Sequence, residues 1–171
     1  MQQDDAITKL AGRIDAARRA ERMLTDPDDV ARFRREGACE LHRVCAGLVS
    51  AVNSRTTEAL LDLSPPTYSA QDFRDAGPNL IQISSQGRQM QIVFGAPSQL
   101  VSTEKFLMPY VLEGEVRTYN QTMLDHFDVR SRAIFLCVQA ETAVWRFFDW
   151  RTLATGPLDG EALAKLIEPL F

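Results

Sequence analysis

The sequence predicts an α+β fold: an N-terminal antiparallel helical hairpin packed on a mostly antiparallel sheet of about five to seven strands, with a C-terminal helix. Three observations predict it. Apolar residues recur with a period near 3.6 up to about residue 54, the period then falls near 2, and an amphipathic helical pattern returns after residue 156. Of the 14 aromatic residues only Phe33 lies in the first 54 positions, so composition changes where the period does. No linker or repeat interrupts the 171 residues, which reads as one domain with a helical part (1–54), a sheet (55–155) and a closing helix (156–171).

The first helix follows from Ile7, Leu10, Ile14, Ala17 and Leu24, spaced by three, four or seven with charges between. Thr25-Asp26-Pro27-Asp28-Asp29 then starts a second helix: a carboxylate accepts orphan amide bonds, proline at the first helical position loses no needed donor, and two acids complement the dipole. Its stripe is Val30, Phe33, Gly37, Leu41, Val44, Leu48 and Val52, flanked by Cys45 and Val49. Gly37, Ala38, Ala46 and Gly47 should permit close approach between the two helices.

Glu58–Leu63 is a short strand candidate ended by Pro65-Pro66, and 69–75 reads as a turn. Leu80–Ser84 and Arg88–Phe94 alternate around Ser85-Gln86-Gly87 and form a hairpin. Lys105–Leu112 and Glu115–Asn120 are extended, divided at Gly114 by a bulge or turn, and Met123–Val129 carries no clear pattern. Ala133–Gln139 and Thr142–Trp150 make a second hairpin; the first of these strands is apolar on both sides and therefore central. Gly156-Pro157-Leu158-Asp159 leads into the last helix, with Leu163, Leu166 and Ile167, stopped by Pro169.

At 45% hydrophobic and 25% charged, the chain has the composition of a soluble globular protein. Its formal charge of −4 argues against a nucleic-acid partner that depends on counterion release. The polar start Met1–Asp5 has no signal-peptide pattern, and no apolar run is long enough to span a bilayer. Three thiols, Cys39, Cys45 and Cys137, are an odd and sparse set that suits a reducing cytoplasm; on one helix Cys39 and Cys45 would lie about 9 Å apart along the axis, too far to bridge.

Dinucleotide, P-loop, α/β-hydrolase, zincin and zinc-ribbon motifs are missing, and no cofactor is expected. Cys39-x-x-His42-x-x-Cys45 has ligand types at helical spacing but fans them over about 120° of the helix, so we expect no metal there. Asp125-His126 is the one acid–histidine pair, the weak candidate for a general base oriented by a carboxylate. Arg117 and Tyr119 alternate onto one side of their strand, and Arg146 and Trp150 onto one side of another. If those sides coincide, aromatic walls flank two guanidinium groups and suit a small acidic or amphipathic ligand; the competing expectation is that both arginines pair with Glu113, Glu115 or Asp149.

Two function classes follow. The first is a non-catalytic ligand- or protein-binding module acting as a homodimer, because aromatic residues on both sides of the 133–150 hairpin exceed what one helical layer covers. The second is a small cavity enzyme of hydrolase or isomerase type using His126 and Asp125. In element order, helices followed by a curved sheet, the chain resembles the nuclear-transport-factor-2-like superfamily, whose cone-shaped fold would imply such a cavity; the C-terminal helix departs from that family's usual ending.

Overall fold

The computed structural model describes residues 2–58 and 60–171. Among the described residues the order is α1 (Gln2–Met23), α2 (Pro27–Asn53), β1 (Asp62–Ser64), β2 (Asn79–Ser85), β3 (Arg88–Gly95), β4 (Tyr110–Tyr119), α3 (Gln121–Asp125), β5 (Arg130–Gln139), β6 (Thr142–Phe148), β7 (Thr155–Pro157) and α4 (Gly160–Ile167), which ends in a 3-10 turn at Glu168–Leu170. The strands form one antiparallel sheet whose spatial order is the chain order, β1 to β7. No helix among the described residues is long and apolar enough to cross a membrane.

α2 begins as its sequence dictates: the Asp26 carboxylate accepts from the Asp28 amide at 2.9 Å and Pro27 takes the first turn. Val30, Phe33, Leu41 and Cys45 are buried, with Val44, Leu48, Val49 and Val52 partly buried along the same stripe. The close approach expected between helices at Gly37 is made instead to the sheet, because a Cβ there would lie 2.2 Å from Leu136 Cδ2 on β5. Beside it, the Trp145 indole Nε1 donates to the Gly37 carbonyl at 2.7 Å, and the Trp145 ring meets Phe94 edge-on at 5.5 Å. α4, capped by Asp159, completes this layer with Leu163 and Ile167. The inner face of the sheet is thus a continuous core of Ile81, Ile83, Met90, Ile92, Phe94, Leu112, Val116, Ile134, Leu136 and Trp145.

Both N-terminal helices precede the sheet, and α2 supplies the stripe that the sheet takes. On α1, Ile7 and Leu10 are each 57% exposed and Ile14 48%, while Leu24, just beyond the helix, packs against the core.

Several boundaries differ from the sequence reading. The strand expected over 58–63 is confined to Asp62–Ser64, and Ala59 lies outside the described residues. Gly114 does not divide two strands. It sits inside β4 opposite Phe94, where a Cβ would lie 2.2 Å from the Val93 carbonyl, so it permits two strands to approach rather than turning the chain. The irregularity in β4 falls at Tyr110/Leu112. Residues 105–109, read as strand, belong to the long β3–β4 loop. The 123–129 segment contains the end of a short helix capped by Asn120, and Thr155–Pro157 adds an edge strand where only a lead into the last helix was expected.

Candidate functional site

The outer face of the sheet is assembled differently. Strand alternation puts Val93 and Gly95 of β3, Glu113, Glu115, Arg117 and Tyr119 of β4, Ser131, Ala133 and Phe135 of β5, and Arg146 and Phe148 of β6 on this side, in register across the ladder. Its apolar part is a small second cluster of Tyr110, Phe135 and Cys137, covered by Phe106 and Met108 from the β3–β4 loop. Phe106 stacks on Phe135 with ring centroids 5.0 Å apart and meets Phe148 edge-on at 6.2 Å. The chain's own loop therefore covers part of the aromatic surface that, read from the sequence, exceeded what one helical layer covers and pointed to a second copy.

That loop is fastened from several sides. Ser102 and Tyr110 exchange two backbone hydrogen bonds of 3.0 Å, and the Lys105 amide donates to the Tyr110 hydroxyl at 3.2 Å. From α2, Arg34 donates to the carbonyls of Val111 and Leu100, both at 3.0 Å. Burial holds the Arg34 guanidinium below its ordinary pKa, against the opposing charge of Asp75.

Beside the loop runs a groove of about 630 Å³. Ser131, Ala133 and Phe135 of β5, Gly95 of β3, Gly77 and Pro78 before β2, and Trp150 after β6 are among the residues that line it. Trp150 is 62% exposed, its ring edge-on to Phe148 at 4.5 Å and 82°. Two ion pairs stand in the groove: Lys105 Nζ to Glu113 Oε1 at 2.9 Å and Arg117 to Glu115 Oε2 at 2.7 Å. Each carboxylate raises the pKa of its cation through the hydrogen bond it accepts. Asp75 adds a third acid to the lining.

The predicted residues are partly brought together. Arg117, Tyr119 and Arg146 share the outer face, and Trp150 joins Arg117 in lining the groove. Arg117 does pair with Glu115, as the competing expectation had it. Arg146 stands apart: it is opposite Phe135 whereas Arg117 is opposite Ser131, an offset of four residues, about 13 Å along the strands. Its Nε is buried without a hydrogen-bond partner, and its charge partly offsets the burial that pushes the Cys137 thiol up to about 12. Tyr119 donates its hydroxyl to Gln89 Oε1 at 2.7 Å, outside the groove.

Asp125 and His126 are both exposed and engaged locally. Asp125 accepts from the Gln121 side chain at 2.8 Å, and His126 Nδ1 meets the Thr122 carbonyl at 2.8 Å. The residues of the Cys39–His42–Cys45 spacing likewise diverge. Cys45 is in the core with its thiol pushed up to about 12 by burial, and His42 Nε2 donates to the Pro65 carbonyl at 2.7 Å with its ring stacked on Tyr68. Lys105 and Phe135 as groove residues were missed. Alternation along β5 already put Phe135 on the side opposite Ile134, but the fold of the β3–β4 loop that brings Lys105 there has no local signal.

No family model, curated protein or solved structure matches this chain, so the likeness in element order carries no further.

Proposed function

We propose that this protein is a non-catalytic binding module whose outer-face groove takes a small amphipathic ligand. The observation that supports the reading is Trp150, a large exposed ring edge-on to Phe148 beside two ion pairs. An indole offers a large apolar area for only two side-chain torsions to be ordered on binding. The paired charges refine the ligand class. Both cations already face carboxylates, and Asp75 leaves the lining with more acid than base, so a purely anionic ligand meets Glu113 and Glu115 as competitors. A ligand with an apolar body and both a carboxylate and an ammonium group exchanges partners with Arg117 and Glu115 without leaving either charge bare. The unpaired thiols Cys39, Cys45 and Cys137 support the cytoplasmic setting read from the sequence.

Fluorescence titration tests this, because Trp145 is buried and Trp150 faces solvent. The probes are dipeptides with free termini and one aromatic side chain, against the same compounds with the amine acetylated. Saturable quenching by the free dipeptides, lost in Trp150→Ala and weakened at least about tenfold in Arg117→Ala, is the expected result. Equal responses from wild type and Trp150→Ala would overturn the reading.

A further inference from the structure

Among the described residues the apolar stripe of α1 has no partner of comparable size, and its pattern specifies what covers it. We propose that α1 is a dimerisation helix that pairs antiparallel with α1 of a second copy of this chain. Ile7, Leu10, Ile14 and Ala17 occupy alternating three- and four-residue steps, the seam of a two-helix coiled coil, and the three large ones are about half exposed. Along a helix 22 residues long the seam runs on one side, uninterrupted from Ile7 to Ala17.

Charge decides the orientation. With Ile7 and Ile14 at the first seam position and Leu10 and Ala17 at the second, Asp4 and Arg18 flank the seam on one side and Arg13 on the other. An antiparallel pair sets Leu10 against Ile14 of the partner subunit and Ile7 against Ala17 of the partner subunit. The same register brings Asp4 beside Arg18 of the partner subunit, and the two-fold axis repeats that contact. A parallel pair instead places Arg13 beside Arg18 of the partner subunit, a like-charge contact made twice, whereas the antiparallel pair has one like-charge contact, Arg13 facing Arg13 of the partner subunit across the axis, against two attractions between Asp4 and Arg18 of the partner subunit. Among the described residues neither Asp4 nor Arg18 is held in an ion pair within its own chain, and both are exposed. Ala11, beside the seam at its centre, leaves room for a close-packed pair.

The contact is small beside the roughly 800 Å² per partner of a standard interface, so a dissociation constant on the order of 10 µM is expected. The surface is separate from the outer-face groove, and the proposal does not rest on it. Sedimentation equilibrium of the full chain, from about 1 to 500 µM, should show the 19.2 kDa species giving way to one of twice that mass. Leu10→Asp should raise the dissociation constant at least about tenfold, since one apolar contact is lost in each half of the pair. Arg18→Glu should weaken association by about threefold or more, and the exchange Asp4→Lys with Arg18→Glu should restore it. These exposed positions leave the sheet untouched, and far-ultraviolet circular dichroism verifies the helix in each variant. A wild type that stays at 19.2 kDa throughout overturns the proposal, as does a Leu10→Asp variant that associates as the wild type does. Association lost on Leu10→Asp, together with either no weakening by Arg18→Glu or a weakening that the charge exchange does not restore, overturns the antiparallel arrangement.

Discussion

The two faces of one sheet are closed by different means. On the inner face α2 and α4 lie flush on the strands, Gly37 touching Leu136, and every central side chain from Ile81 to Trp145 is buried. On the outer face a single irregular loop drops Phe106 and Met108 onto Phe135 and stops there, leaving a groove walled by Trp150. Helices bring an apolar row as long as the sheet is wide, whereas a loop brings only the few side chains it can spare from satisfying its own backbone. The inner face therefore holds the larger buried core, and the outer face retains accessible surface.

The sharpest way to break this contrast is to empty one position on each side. Trp145→Ala should lower the unfolding free energy by about 3–5 kcal/mol, seen as a loss of about 10 °C in Tm, because it removes the largest inner-face ring and leaves the space unfilled. Phe106→Ala, half-buried on the outer face, should cost only about 1–2 kcal/mol in urea unfolding. Equal costs would mean that the two faces are equivalent. The same variant sharpens the comparison through the thiols. Burial pushes the thiols of Cys45, on the core face of α2, and Cys137, beneath the loop, up to about 12, so iodoacetamide at pH 8 should spare both in the wild type. In Phe106→Ala, Cys137 should become reactive while Cys45 stays protected; simultaneous labelling would show that the loop does not open independently.

A smaller effect is expected at acid pH. Asp149 is held below the ordinary aspartate range by the Arg151 amide, and further by the Thr152 hydroxyl and Arg132, which lies 3.3 Å away. A depressed folded pKa contributes stability that is present above the unfolded value of about 3.9 and is lost as pH falls through the folded one. Thermal unfolding followed below about pH 4 should therefore steepen in the wild type and flatten in Asp149→Asn. The smallest effect belongs to the groove. Removing the exposed Lys105–Glu113 pair by Glu113→Gln should change stability by no more than about 1 kcal/mol, with the difference fading in high salt.

Much of the fold was legible because local period reports which side of an element is buried. The α2 stripe, the cap at Asp26 and the β2–β3 and β5–β6 hairpins are all written within a few residues of where they act. Phe106 and Met108 misled for a physical reason: a loop that presses alternate residues onto a sheet shows the same two-residue step as a strand. Gly114 misled because a glycine that admits a neighbouring strand and one that turns the chain look identical in sequence. For the candidate site, alternation put Arg117 with Tyr119 and Arg146 with Trp150, each pair on its own strand. That Arg117 and Arg146 share a face, and their offset along it, depends on strand register, which is set by contacts far apart in the chain.

The strict chain order of the sheet also bears on how the molecule assembles. Each strand from β1 to β7 finds its neighbour within one connection, so the pairing needs only short-range searches. The indole–carbonyl link from Trp145 to Gly37 closes 108 residues, about 2 kcal/mol more in loop entropy than a ten-residue closure. The second helix is synthesised early, but the surface it covers is complete only when the sixth strand has joined, so it is expected to seat late. In pulse-labelled hydrogen exchange during refolding, amides of the β2–β3 hairpin should gain protection before the Trp145 indole does, making that tryptophan a clock for the final step of folding.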